Sequence, residues 1–148
     1  MDPKWVAEVL AELRAAPWRD LPVARRGAVT FRKQRLPLVF KCTTGGYWDG
    51  WICLWYVEDD CGVIAAGTAR VLRERRHVLE LGCSAVAEPA RQQGLYTAVL
   101  RELVRIFDGP IESDAALTPG ARGAWLRAGG QPARRADHDV LRLEPPRR

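Results

Sequence analysis

The spacing of apolar residues changes character along the chain. From the cap-and-proline start Asp2–Pro3, positions Val6, Val9, Leu10 and Leu13 recur at helical spacing until Pro17 stops them. Residues 18–36 lose that rhythm and read as irregular and basic, with strands expected near Ala28–Phe31 and Leu36–Cys42. TTGGYWDG, Thr43–Gly50, is turn chemistry. Three strand-like runs follow: Trp51–Val57, apolar on both faces, then Val63–Leu72 and His77–Ala87. The short polar turns EDDCG and RERR between them predict an antiparallel meander.

Helical spacing returns over Gln93–Phe107, where Leu95, Val99, Leu103 and Ile106 form one apolar stripe ended by Asp108-Gly109-Pro110. PIESD is a short strand. Thr118–Pro119 opens a second helix that stops at Gly129–Gly130, and Asp139–Glu144 alternates like an edge strand. A helical crossover makes the strand after it parallel to the strand before it. The expected fold is therefore α/β (α+β), a single domain over residues 1–148. Its central sheet is mixed, an antiparallel meander leading into a β-α-β crossover, with helices on both faces.

Composition narrows the functional classes. With 47% apolar and 28% charged residues in 148, the chain reads as one globular domain. It has no run long enough to span a membrane and no secretory leader, so a cytoplasmic location is expected. The net charge of +5 is almost all arginine, lysine standing only at Lys4, Lys33 and Lys41. That suits either a solvated surface or an anionic ligand. Cys42, Cys53, Cys61 and Cys83 form no C-x-x-C pair, and His77 and His138 lack ligand spacing to them, so no metal site is expected.

The chemistry concentrates at EPARQQGLYTAVLREL, Glu88–Leu103. A helix starts here with glycine and amides where a serine or aspartate cap is usual. The free N–H groups and positive dipole end of such a start suit an anion, and Gly94 lets a ligand come close to the backbone. RQQGLY, Arg91–Tyr96, resembles the Q/R-x-x-G-x-G/A signature of the GNAT acetyltransferase family, in the same place between central strand and following helix. Tyr96 departs from the usual Gly or Ala, and so large a side chain there either faces the core instead of the phosphates or narrows the site. The resemblance implies acetyl-coenzyme A as cofactor, its pyrophosphate on Arg91, Gln92, Gln93, Gly94, Leu95, Tyr96 and Thr97. Its pantetheine would then run along Ser84, Ala85 and Val86.

Glu80 lies between apolar neighbours in VLELGC, where an acid is costly unless it is exposed or has work to do. The resemblance implies a general base at this point of the strand, a glutamate with raised pKa that accepts a proton from an amine-bearing acceptor. The bland alternative is a solvent-facing meander residue. Family members place a tyrosine general acid where this chain has Trp125. Ser113 and Asp114 are further catalytic candidates by the same resemblance, and Tyr47 and Tyr56 are phenols that the sequence does not place. The leading expectation is an N-acetyltransferase with an unidentified small-molecule or protein acceptor. The alternatives are a nucleic-acid base-modifying relative of the phage Mom type, with Trp48, Trp51 and Trp55 as stacking candidates, and a catalytically degenerate coenzyme A-binding domain.

Overall fold

The computed structural model describes residues 20–42 and 50–146. The expected Asp2–Pro17 helix, Tyr47 and Trp48 lie outside the described residues. Eight strands form one sheet: β1 (Val23–Phe31), β2 (Gln34–Cys42), β3 (Gly50–Asp59), β4 (Gly62–Leu72), β5 (Leu79–Val86), β6 (Ile111–Glu112), β7 (Gln131–Arg135) and β8 (His138–Leu143). Two helices, α1 (Leu95–Phe107) and α2 (Pro119–Ala128), follow β5 and β6. The spatial order is β1-β2-β3-β4-β5-β6-β8-β7.

Strands β1 to β5 pair antiparallel in chain order, so the meander is longer than the three runs read from the sequence. The strand expected near Ala28–Phe31 is the second half of β1, which extends back through the basic stretch expected to be irregular and carries Arg25 and Arg26 on a strand paired, among the described residues, only with β2. The crossover through α1 brings β6 parallel to β5, as expected. Strand β8 is not an edge. The unanticipated β7 covers it, since Gln131, Pro132, Arg134 and Arg135 present no alternating apolar pattern.

The larger core cluster joins one face of the sheet to both described helices. Leu38, Trp55, Leu79 and Leu81 meet Leu95, Val99, Leu103 and Trp125 there. A smaller cluster of Leu54, Val63, Ala66 and Ala85 lies on the opposite face. Helices on both faces were expected, and the two described helices share one. Trp55 is fully buried above Gly67, where an added Cβ would stand 2.5 Å from the indole Nε1. That takes Trp55 away from any base-stacking role. Trp51 is half-buried between the guanidiniums of Arg73 and Arg76, 5.7 and 5.1 Å from its ring centre.

Among the described residues, no helix is long and apolar enough to cross a membrane.

Candidate active site

The site forms where the sheet opens. β5 and β6 pair only at Leu79–Ile111 and Glu80–Glu112, after which β6 ends. Beyond that point the β5 edge faces a cleft of about 1020 Å³, lined by β5, the loop before α1, the start of α1 and residues 114–127. Just there β5 carries a bulge. Ala69 faces Leu81 and Gly67 faces Ser84, so Gly82 and Cys83 together stand opposite Thr68, whose hydroxyl accepts the Cys83 N–H at 3.2 Å. The extra residue reverses the inside–outside alternation of the strand. Ser84 and Val86 line the cleft, and Ala85 points into the cluster on the far face.

The bulge also separates Glu80 from the cleft. Plain alternation puts Glu80, Ser84 and Val86 on one side. Instead, Glu80 projects from the face opposite Leu79 and Leu81 and is 2% exposed. It is neither a cleft-facing base nor a solvent-facing residue, but is surrounded by guanidiniums: Arg70 and Arg135 lie 3.1 Å away and Arg75 3.3 Å. The neighbouring Glu112 is bound by Arg75 at 2.8 Å and Arg142 at 3.0 Å. Burial pushes the Glu112 carboxyl up, but the hydrogen bonds and charges of Arg75 and Arg142 outweigh it and leave the group below the usual glutamate range.

Ser113 is also outside the cleft lining. It is fully buried; its Oγ accepts the Leu141 N–H at 2.9 Å and donates to the Asp114 carbonyl at 3.0 Å. The hydroxyl therefore ties β6 to β8. Of the three expected catalytic residues, only Asp114 lines the cleft.

Opposite β5 stands the start of α1. Its cap residue, Gly94, has φ +82° and no side-chain cap bond, and a Cβ added there would meet nothing within 4 Å. Glycine is thus favoured by the left-handed backbone, and the space before it is open. The N–H groups of Leu95, Tyr96 and Thr97 have no acceptor inside their own helix. Thr97 is 8% exposed, lines the cleft, and its Oγ1 has no hydrogen-bond partner. Arg91 and Gln92 line the cleft too, with the Arg91 Nε bound to the Val86 carbonyl at 3.0 Å. Gln93 does not; its Oε1 accepts from Arg32 Nε at 2.9 Å.

Tyr96 serves two surfaces. Its ring stacks on Trp55, centroids 6.3 Å apart, the core-facing one of the two expected placements. Its hydroxyl lies 3.1 Å from Ser84 Oγ, and both residues line the cleft. The Trp125 indole N–H is directed to the same oxygen without completing a hydrogen bond. Burial raises the Tyr96 phenol pKa, against the pull of Ser84 and Trp125, so the phenol is protonated at neutral pH.

The far wall was not anticipated from the sequence. It contains Leu117, Thr118, Gly120 and Arg127, which bring the N-terminal turn of α2 to the same cleft. Thr118 caps that helix, its Oγ1 accepting the Ala121 N–H at 3.2 Å. Two positive helix ends and two arginines thus border one cavity, with Asp114 as its carboxylate. The signal in the sequence was the Thr118–Pro119 start, read as a helix boundary only.

No protein-family model matches the chain, and no curated protein matches it. Two solved structures of a cAMP-binding acyltransferase from Mycobacterium smegmatis are similar to it in fold. A point mutant of that protein gives a TM-score of 0.49 at 11% identity, covering 96% of this chain and 54% of that one. Another structure of the enzyme gives 0.45 at 12% identity, covering 97% and 52%. The chain spans about half the length of these structures, and at such scores the likeness carries no functional weight.

Proposed function

We propose that the protein is an acyltransferase of the GNAT type that takes acetyl-coenzyme A and passes the acetyl group to an amine. The observation that carries this is the junction of an opened β5–β6 edge with the uncapped N-terminus of α1, where the buried Thr97 Oγ1 lacks a partner. An elongated, polyanionic ligand with an amide-bearing arm fits both parts. Its pyrophosphate would lie on the N–H groups of Leu95, Tyr96 and Thr97 in front of Gly94, with Arg91 and Gln92 beside it. Its arm would hydrogen-bond the unpaired edge of β5 near Ser84, beside the Val86 carbonyl that Arg91 binds.

Acetyl-coenzyme A supplies the activated thioester. The chain supplies placement and charge. β5 fixes the direction of the acyl arm, and Ser84 and Tyr96, whose hydroxyls lie 3.1 Å apart, line the cleft beside it. Asp114 attracts a cationic amine and stands in the cleft as an acceptor for the proton it must lose. The acceptor is an amine of unassigned class, and the measurement that finds it is mass spectrometry of a cell lysate treated with protein and acetyl-coenzyme A. Calorimetric titration tests the site itself: saturable binding of acetyl-coenzyme A is expected, with a higher melting temperature. Absence of binding overturns the reading.

A further inference from the structure

Away from the cleft, β2 and β3 bring two thiols together. Cys42 lies directly opposite Cys53 in the antiparallel register, and their sulfurs are 2.7 Å apart. Directly opposed residues of such a pair have Cα atoms about 4.5–5.5 Å apart, inside the range a disulfide spans. Strand pairing on both sides of Cys53 holds the backbone in place, so joining the sulfurs asks for little more than side-chain adjustment.

The two thiols differ in a way that orders the chemistry. Cys42 is half-buried and Cys53 fully buried. The hydrogen bond from Cys53, against burial and with help from Arg25, pulls the Cys42 thiol down, whereas the same bond and burial push Cys53 up. Cys42 is therefore the more thiolate-like and the more accessible of the two, the character of an attacking sulfur. Cys61 and Cys83 are exposed single thiols.

We propose that Cys42 and Cys53 are an oxidation site at which hydrogen peroxide converts the pair into a reversible cross-strand disulfide. The Cys42 thiolate attacks the peroxide: an S–O bond forms, the O–O bond breaks, and the departing hydroxide takes up the proton Cys42 released. The Cys53 sulfur then attacks the sulfenic sulfur: the S–S bond forms, the S–O bond breaks, and the leaving oxygen departs as water with the Cys53 proton. Two thiols are oxidised and one hydrogen peroxide is reduced to two waters.

The experiment uses the full chain carrying Cys61→Ser and Cys83→Ser, which retains only this pair. After dilute hydrogen peroxide, unfolding and iodoacetamide, the intact mass should fall by about 2 units relative to the untreated chain, with neither thiol alkylated. Dithiothreitol should return both thiols. Cys42→Ser added to this background should abolish the loss and leave Cys53 alkylated. Wild type provides an independent route, since chymotryptic cleavage near Trp51 and Tyr56 separates Cys42, Cys53 and Cys61 for mapping the linked peptides. A gain of about 16 or 32 mass units without linkage, a linked dimer on non-reducing electrophoresis, or two unaltered thiols would each overturn the proposal.

Discussion

The two halves of β5 solve opposite electrostatic problems. At Leu79–Glu80 the strand is paired with β6, and the acids it buries there with Glu112 are enclosed by Arg70, Arg75, Arg135 and Arg142. From Ser84 onward no described strand pairs with its outer edge, where the Arg91 side chain binds the Val86 carbonyl, and the positive ends of α1 and α2 face the cleft. In the first half the protein supplies its own counter-ions, and the charges belong to the sheet's structure. In the second, donors are left for a ligand to satisfy. The Gly82–Cys83 bulge divides the halves and turns their side chains to opposite faces. Part of the arginine charge is thus taken up by the buried acids, and the net charge of +5 says little about ligands by itself.

The largest expected effect comes from closing the open half. Gly94→Glu puts bulk and negative charge where the phosphates are proposed to sit, and should weaken coenzyme A binding by roughly 10³-fold, about 4 kcal/mol. Gly94→Ala imposes the strained backbone without the charge and should cost far less affinity. Calorimetry on both separates the two causes; equal affinities for wild type and Gly94→Glu would remove the cofactor from this loop.

In the paired half the expected loss is stability. Glu112→Gln breaks a buried pair and should cost about 3 kcal/mol in urea denaturation, near the low end for such pairs because the arginines reach solvent. The pH dependence follows from the same contacts. The Glu112 carboxyl is held below its ordinary range in the folded state, so the unfolded chain takes up the proton first as pH falls. The stabilisation is complete above the unfolded value of about 4.3, declines as pH falls from there through the lower folded value, and is absent below both. Stability curves over this acid range should be less steep in Glu112→Gln. A curve identical to wild type would show that the array does not hold the carboxylate.

The smallest expected effect is on catalysis. Glu80→Gln alters the paired half alone, so its pH–rate profile on whichever amine proves to be the acceptor should overlay that of wild type within about 2-fold. A 10²–10⁴-fold fall at neutral pH, the usual contribution of a positioned acid–base group, would return Glu80 to the role of base and require the bulge to be bypassed.

Local pattern was enough for the meander from Trp51 onward, the stripe of α1, the cap of α2 and the uncapped glycine start at Gly94. Each rests on residues within one turn or one strand of each other, where periodicity and backbone preference act directly. The remainder depended on contacts between distant segments. The sequence showed Glu80 as an acid among leucines, because the arginines around it come from β4, the turn after it and β7. Strand β7 carries no pattern of its own and is a strand because β8 offers it an edge. The bulge at Gly82–Cys83 exists only against Thr68 of β4, yet it decides which residues of β5 see the cleft. Cys42 and Cys53 became a pair only through the β2–β3 register. The sequence by itself determined the strands of the central meander, the two helices and the helix start that suits an anion. Tertiary structure decided which charges are internally paired and which donors remain for a ligand, because burial and ion pairing depend on neighbours that chain order does not place side by side.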